Sequence, residues 1–262
     1  MTIDEARRTS FDEEAELYDA ARPSYAGPLF DEVIARSRIP LDGRILEVGA
    51  GTGKATVPFA RRGYSMVALE PGEKLAKVLR RNVAAFSKVA IEISTFEAWT
   101  GADGTFDLVI SAQALHWVDP KVRYRKAHAA LRAGGALALI RNEQESLEPS
   151  LRAELDDAYA RYFRGVPNLA ARDVDARRRE LAAEIERSGL FGPVHSALFP
   201  WRARYTAREY LALLSTHSDH AVLDPRAKKG LFDAVAAAIE HHGGVLEFPY
   251  VSLALIASRK AP

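Results

Sequence analysis

Short apolar runs alternate with helical patterns through the middle of the chain. The runs predict strands at residues 44–48, 64–69, 89–93, 106–111 and 136–140, with a turn at 133–135 before the last of them. The helical patterns lie between the runs, at residues 54–62, 73–86 and 121–131. Strands that alternate with helices in this way favour a parallel sheet that is covered by helices on both faces.

The flanking parts of the chain follow a different pattern. Amphipathic helices are predicted at residues 150–164, 173–188, 207–215 and 231–241, and strands at 195–205 and 247–258. A loop with Gly165 and Pro167 separates the first two of these helices. Residues 1–40 carry apolar side chains at helical spacing and are predicted to pack on the core; they include Phe11, Leu17, Tyr18, Tyr25, Leu29 and Phe30.

Composition narrows the class of protein. The 262 residues are 48% hydrophobic and 27% charged, which is typical of a globular chain. Lys and Arg number 36 against 35 Asp and Glu, so the net charge of +1 provides no field for nucleic acid or an anionic membrane. The absence of cysteine excludes disulfides, thiolate metal sites and cysteine nucleophiles. Residues 1–10 resemble no signal peptide and no apolar run reaches membrane-spanning length, so we expect a cytoplasmic protein.

The strongest chemical signal is the segment 47–53, Glu-Val-Gly-Ala-Gly-Thr-Gly, directly after the first predicted strand. Such a glycine-rich turn lets a ligand approach the backbone closely. A dinucleotide-binding loop of the form G-x-G-x-x-G, counted from Gly49, requires glycine where this chain has Lys54. A carboxylate at Glu47 disfavours a pyrophosphate but suits a cation such as S-adenosylmethionine, which carries an ammonium and a sulfonium group.

This segment resembles the first motif of the class I S-adenosylmethionine-dependent methyltransferases, in their small-molecule, type 11-like branch. Later segments keep the order of that family. They are Glu70 after the second strand, 94–97 after the third, 106–117 around the fourth and 131–135 before the fifth. The resemblance covers residues 44–142 closely, and it extends to 18–25 and to the strand around Pro249-Tyr250.

The resemblance implies S-adenosyl-L-methionine as the cofactor, together with a set of residues that contact it. They are Tyr18, Arg22, Glu47, Gly49, Gly51, Gly53, Glu70, Thr95, Phe96 and Gln113. Glu70 is expected to hold the ribose hydroxyls, Thr95 and Phe96 the adenine, and Gln113 the methionine end, while Glu47 supports the loop and Tyr18 and Arg22 reach the carboxylate. Thr95 stands where the family commonly has Asp, which weakens the expected adenine contact.

Each of these residues also has an ordinary structural interpretation. The glycines can serve a tight turn alone, and Glu47 can be a surface charge at the end of a strand. Glu70 before Pro-Gly can be turn chemistry, and Arg22 a solvated charge at the end of a helix.

The resemblance also implies the fold. We expect a Rossmann-like α/β fold with a seven-stranded, mostly parallel sheet of order 3-2-1-4-5-7-6, whose last strand is antiparallel. The prediction is a single domain over 1–262, with an N-terminal helical cap (1–40), a cofactor-binding core (41–142), a helical insertion (143–192) and strands 6 and 7 with substrate-side helices (193–262). Residues 1–40, 143–192 and about 206–230 are expected to form the acceptor pocket.

His116 is the candidate catalytic residue, because it follows the fourth strand at the edge where open α/β sheets bind ligands. Histidine suits proton removal from an oxygen or nitrogen acceptor. The alternative is a structural pair with Trp117. His217, Asp219 and His220 are a second cluster, interpreted as polar surface, a part of the substrate pocket or, least of all, a metal site. His241 and His242 are interpreted as the end of a helix, and no metal is predicted.

The sequence therefore predicts a methyltransferase that acts on an O, N or C atom of a small molecule, without nucleic acid or membrane partners, as a monomer or homodimer. Two alternatives stay open. One is a non-catalytic homologue that binds S-adenosylmethionine or S-adenosylhomocysteine. The other is an NAD(P)-dependent oxidoreductase, which Lys54 and Glu47 disfavour.

Overall fold

The structure is a computed structural model that describes residues 12, 14–163, 173–221 and 223–261. The predicted loop with Gly165 and Pro167, and the predicted packing of Phe11, lie outside these residues. The described helices are α1 Ala15–Ala21, α2 Gly27–Ser37, α3 Thr56–Arg61, α4 Glu73–Asn82, α5 Arg123–Ala130, α6 Pro149–Tyr162, α7 Val174–Arg187, α8 Ala207–Ser215, α9 Ser218–Ala221 and α10 Pro225–His241. The strands are β1 Arg44–Val48, β2 Ser65–Leu69, β3 Val89–Glu92, β4 Phe106–Ala112, β5 Leu131–Gln144, β6 His195–Thr206 and β7 Val245–Ser258.

These strands form a seven-stranded sheet of order β3-β2-β1-β4-β5-β7-β6. The strands from β1 to β5 pair in parallel, and the last strands are antiparallel, so the predicted topology is confirmed. In the register of the first pair, Val48 lies opposite Leu69. Because parallel strands end at the same edge of a sheet, the segments that follow β1 and β2 are neighbours.

The fifth strand differs from its prediction. It begins at Leu131 and includes the Gly134-Gly135 pair, which was expected to form a turn before a strand over 136–140. Leu131 pairs with Phe106 and Ala136 with Leu108, so four residues of β5 lie between partners that only one residue of β4 separates. The extra residues form an irregularity in the ladder, which accommodates the glycines without ending the strand.

Two hydrophobic cores cover the two faces of the sheet. Leu46 of β1 and Val109 of β4 belong to one core, which also contains Leu181 and Ile185 of α7. The neighbouring strand residues alternate to the other face, where Ile45, Leu108 and Ile110 pack with Leu29, Phe30 and Val33 of α2 and Phe59 of α3. Burial on both faces explains why β4 reads as an almost continuous apolar run.

The described chain divides into two compact units. The sheet unit consists of the described parts of Ser24–Glu143, Val174–Pro200 and Val251–Pro262. The helical unit consists of the described parts of Met1–Pro23, Gln144–Asp173 and Trp201–Tyr250. The sequence analysis predicted a single domain over 1–262, and this stays a prediction. The helical unit has its own core, in which Leu151 and Leu155 of α6 pack with Leu231 and Val235 of α10.

No helix within the described ranges combines the length and the apolar composition that crossing a bilayer requires.

Candidate active site

The glycine-rich loop of the sheet unit begins directly after β1. The backbone N–H groups of Gly49 and Ala50 both donate to the carbonyl oxygen of Leu69, at 3.0 and 2.9 Å, so the loop is attached to the end of β2. Gly53 N–H donates to Ala50 O at 3.0 Å and closes the turn, and Val57 N–H donates to Gly53 O at 3.0 Å at the start of α3. The loop is therefore a tight, internally bonded connection at the carboxyl edge of the sheet.

Two glycines of this loop are required by their conformation and their neighbours. Gly49 has φ of 72°, and a Cβ there would lie 2.4 Å from the Cβ of Ala114, which follows β4. Gly53 has φ of 97°, and a Cβ there would lie 2.7 Å from Cδ1 of Leu79 in α4. Any larger residue would add both strain and a clash, so these glycines allow close packing as well as close approach.

Glu47 lies at the end of β1, under the loop. Its side chain is buried, with 1% of the residue exposed, and the hydroxyl of Thr56 donates to its Oε2 at 2.6 Å. Burial raises the pKa of Glu47 to about 8; the hydrogen bond from Thr56 opposes this change, and the charge of Glu70 adds to it. At neutral pH the carboxyl group is therefore mostly protonated. Glu47 is thus a neutral side chain that links β1 to α3 through its hydrogen bond with Thr56. The negative charge beside the loop, which the sequence analysis expected from Glu47, is that of Glu70.

Glu70 follows β2, and its carboxylate accepts hydrogen bonds from the glycine-rich loop on one side and from the turn before α4 on the other. Gly51 N–H donates to Oε2 at 2.8 Å, and Gly72 N–H donates to Oε1 at 2.9 Å. The residue is buried, with 5% exposed. Two backbone donors fix the plane of the carboxylate, and each of its oxygens has two lone pairs. The arrangement presents an oriented acceptor group beside the glycine-rich loop.

The predicted adenine residues follow β3. The hydroxyl of Thr95 accepts a hydrogen bond from Ala98 N–H at 3.2 Å, and the carbonyl of Thr95 accepts one from Trp99 N–H at 3.0 Å. The ring of Phe96 is buried and stacks on Trp99, with the ring centroids 6.2 Å apart. The side chain of Phe96 therefore belongs to the core, which leaves its backbone as the group for the predicted contact.

Gln113 and His116 lie after β4, at the same edge of the sheet. Gln113 adopts the left-handed conformation, with φ of 58°, and its side-chain amide donates to the carbonyl of Asn142 at 2.9 Å. A left-handed residue other than glycine stores strain and is often found near functional sites. His116 is exposed within a short 3₁₀ helix, Leu115–Trp117, and its ring centroid lies 5.0 Å from that of Trp117.

Tyr18 and Arg22 belong to the helical unit. Arg22 donates from Nη2 to the carbonyl of Thr216 at 2.8 Å, and its Cζ lies 5.2 Å from the centroid of the Tyr18 ring. Their expected contact with a cofactor carboxylate stays a prediction.

The His217–His220 cluster is also in the helical unit. His220 is buried, and its Nε2 lies 2.8 Å from the hydroxyl of Tyr159. Burial lowers the pKa of His220 to about 4 and lowers the pKa of His217 well below its usual range. Both imidazoles are therefore neutral at pH 7. Within the described part of the chain, these side chains do not come together as a group of metal ligands.

The sequence analysis gave no individual role to three residues of the sheet unit that are polar or packing partners of the site. They are Thr56, which bonds Glu47, Ala114, which packs on Gly49, and Ser111, whose hydroxyl donates to Val48 O at 2.9 Å. Nothing in the residue types distinguishes these positions from ordinary helix, loop and strand residues, because each role depends on a contact distant in sequence.

Comparisons with known proteins relate the chain to methyltransferases. Residues 45–135 match the family described as methyltransferase domain. An uncharacterized methyltransferase of Mycobacterium tuberculosis is 36% identical over 137 residues, which cover 52% of this chain and 53% of that protein. The chain thus spans about half the length of the curated relatives that it matches first.

Solved structures share the fold. A protein of Anaeromyxobacter dehalogenans, provisionally named a type II methyltransferase, superposes with a TM-score of 0.62 at 21% identity, covering 91% of this chain and 97% of that one. Phosphoethanolamine N-methyltransferase 2 of Haemonchus contortus, solved with phosphomonomethylethanolamine and S-adenosylhomocysteine, has a TM-score of 0.54 at 14% identity, with 95% of this chain and 58% of that chain covered. Residues 45–135 therefore match a methyltransferase domain, and the chain shares the fold of these solved structures.

Proposed function

We propose that the protein binds S-adenosyl-L-methionine at the carboxyl ends of β1 and β2 and transfers its methyl group to an O, N or C atom of a small molecule. One observation carries the proposal. The carboxylate of Glu70 is oriented by the N–H groups of Gly51 and Gly72, directly beside a glycine-rich loop in which Lys54 replaces the third glycine of a dinucleotide-binding loop.

The donor and acceptor groups of this site fit the proposed cofactor. The two carboxylate oxygens of Glu70 suit the two neighbouring hydroxyls of a ribose. An acidic residue after the second strand also binds the ribose of NAD, so Glu70 alone does not separate the two cofactors. The loop separates them, because a pyrophosphate needs a glycine-lined helix start, and this chain has Lys54 at the position of the third glycine. Neither the family match nor the solved structures favour an oxidoreductase.

In methyl transfer the main task of the protein is to position the cofactor and the acceptor. The cofactor supplies an electrophilic methyl carbon on a sulfonium, so the residues of the chain bind, orient and exclude water. In this proposal Glu70 holds the ribose, the segment around Thr95 and Phe96 holds the adenine, and Gln113 lies at the methionine end. Tyr18 and Arg22 are proposed to reach the cofactor carboxylate.

His116 is proposed as the base that removes a proton from an oxygen or nitrogen acceptor. Its exposed position after β4 leaves the ring accessible to an acceptor. The competing interpretation is a structural pair with Trp117, which the 5.0 Å ring separation also supports. The two interpretations differ in a measurable way, because a base controls the pH dependence of the methyl-transfer rate and a packing residue does not.

A small acceptor is proposed from the charge balance and from one structural relative. The net charge of +1 gives no general attraction for nucleic acid. The relative from Haemonchus contortus was solved with phosphomonomethylethanolamine, a small molecule. We further propose that the protein is cytoplasmic and that it is a monomer or a homodimer.

We expect the purified chain to convert S-adenosylmethionine to S-adenosylhomocysteine when a mixture of small-molecule extracts is supplied. The measurement uses a cofactor with a labelled methyl group and follows the label into extractable products. His116→Ala should reduce the rate with an oxygen or nitrogen acceptor by about 100-fold and remove the acidic limb of its pH profile. Binding of the cofactor without transfer to any acceptor class would favour the non-catalytic homologue instead.

A further inference from the structure

A second group of chemistry-bearing side chains, Glu154, His241 and His242, lies in the helical unit. Nδ1 of His241 is 2.9 Å from Oε1 of Glu154, and Nε2 of His242 is 3.0 Å from the same oxygen. The three ligand atoms lie within 4.8 Å of one another. Over the part of the chain that the structure describes, this is the group of His and acidic side chains that meets the geometry of a metal site.

The end of α10 explains how two consecutive histidines reach one point. Successive side chains of a helix point about 100° apart, so adjacent residues do not normally share a partner. His241 is the last residue of α10, whereas His242 has left the helix, with φ of −95° and ψ of 25°. The chain then turns through Gly243 and Gly244. The two rings consequently converge, with centroids 5.2 Å apart, on Glu154 of α6.

The distances are close to those of a coordinated ion. Zinc binds imidazole nitrogen and carboxylate oxygen at about 2.0–2.2 Å, and tetrahedral geometry then separates neighbouring ligand atoms by roughly 3.3 Å. The observed distances of 2.9 and 3.0 Å need to open by only a few tenths of an ångström. Two histidines with one glutamate also form a known three-ligand set, which leaves the fourth position of the ion to water.

The surroundings favour a cation and leave it a route from solvent. The carbonyl end of α10 carries the negative end of the helix dipole. Hydrogen bonds from Ser150 and Leu151 lower the pKa of Glu148, the N-cap of α6, and the charge of His242 makes a smaller contribution in the same direction, so the side chains of Glu148 and His242 are near each other. Side-chain exposure is 75% for His241, 39% for Glu154 and 23% for His242. An ion can therefore arrive from water and still meet one well-shielded ligand.

We propose that Glu154, His241 and His242 bind a divalent transition-metal ion, with Zn²⁺ as the best match to a His₂Glu ligand set. The ion replaces the two hydrogen bonds between the imidazoles and the carboxylate, with each neutral ring carrying its proton on the other nitrogen, and it ties α6 to the end of α10 at the surface of the helical unit. Because the ion binds only the folded arrangement of these helices, it stabilises the helical unit by an amount that rises with the logarithm of its concentration above the Kd.

The test is calorimetric titration of the full chain, with any affinity tag removed, using Zn²⁺ alone in a buffer that does not bind metals. We expect one ion per chain with micromolar affinity and a rise in melting temperature on addition of Zn²⁺. Glu154→Gln and His242→Ala should each weaken binding by about tenfold or more. His195→Ala is the matched control, because His195 Nε2 also lies 2.8 Å from one carboxylate oxygen, that of Glu32, without a second histidine.

Two results would overturn the proposal. One is a wild-type chain that takes up no Zn²⁺ at neutral pH, and the other is a His242→Ala variant that binds as tightly as the wild type. Co²⁺ provides a measurement that needs no variant, since its visible absorption is intense in a tetrahedral site and weak in the hydrated ion. A weak octahedral spectrum for the wild type would contradict the proposal even if the variants fail to fold.

Discussion

Replacing Glu70 with alanine is expected to weaken the binding of S-adenosylmethionine and S-adenosylhomocysteine by about 100-fold or more. The reason is the loss of hydrogen bonds from the ribose to a charged acceptor, each of which contributes roughly 1.5–3 kcal/mol. The variant also removes the acceptor of Gly51 N–H and Gly72 N–H, which loosens the glycine-rich loop. Calorimetric titration with S-adenosylhomocysteine measures the affinity directly.

The matched control for this variant is Glu73→Ala. Glu73 lies three positions further along, in the first turn of α4, and its side chain is exposed, so the charge change is the same while the contacts differ. The control should keep the wild-type affinity. If Glu70→Ala binds both ligands as the wild type does, the ribose assignment fails.

Replacing Glu47 with glutamine is expected to change the pH dependence of stability. The pKa of Glu47 is raised by burial from 4.5 to about 8, so the folded state binds a proton that the unfolded state releases above pH 4.5. The stability that this proton contributes is fully present below pH 4.5 and is lost as the pH rises through 8. A neutral glutamine keeps an acceptor for Thr56 and has no such loss.

Urea unfolding at pH 5 and pH 8.5 measures the effect. Relative to the wild type, Glu47→Gln should gain free energy of unfolding on the order of 3 kcal/mol between the two pH values. Glu73→Gln is again the control, and its difference from the wild type should stay nearly constant. An equally constant difference for Glu47→Gln would mean that Glu47 is ionised in the folded protein throughout this range.

The sequence predicted the bounds of those helices and strands that are determined by patterns of a few neighbouring residues. β1 was predicted at 44–48 and α8 at 207–215, and both agree at each end. α8 begins with a capping box, in which the hydroxyl of Thr206 accepts from Glu209 N–H and the carboxylate of Glu209 accepts from Thr206 N–H. α10 was predicted to start at Leu231 but starts at Pro225, because Asp224 caps it and Pro225 occupies its first position.

The features of the two sites also differ in whether nearby residues or distant ones determine them. The glycines at 49 and 53 were predicted because spacing within one loop reveals them. The neutral state of Glu47 was not predicted, because it depends on burial and on Thr56, nine positions away. The convergence of His241 and His242 on Glu154 was not predicted either, since Glu154 and His241 are 87 positions apart in the chain. Sequence patterns report local order, whereas these contacts are set by tertiary packing.

The most direct measurement of the central claim is calorimetric titration of the folded wild-type chain with S-adenosylhomocysteine, and separately with NAD⁺ at the same concentrations. We predict a single site per chain with micromolar affinity for S-adenosylhomocysteine and no heat with NAD⁺. A folded chain that gives no heat with S-adenosylhomocysteine or with S-adenosylmethionine would contradict the account.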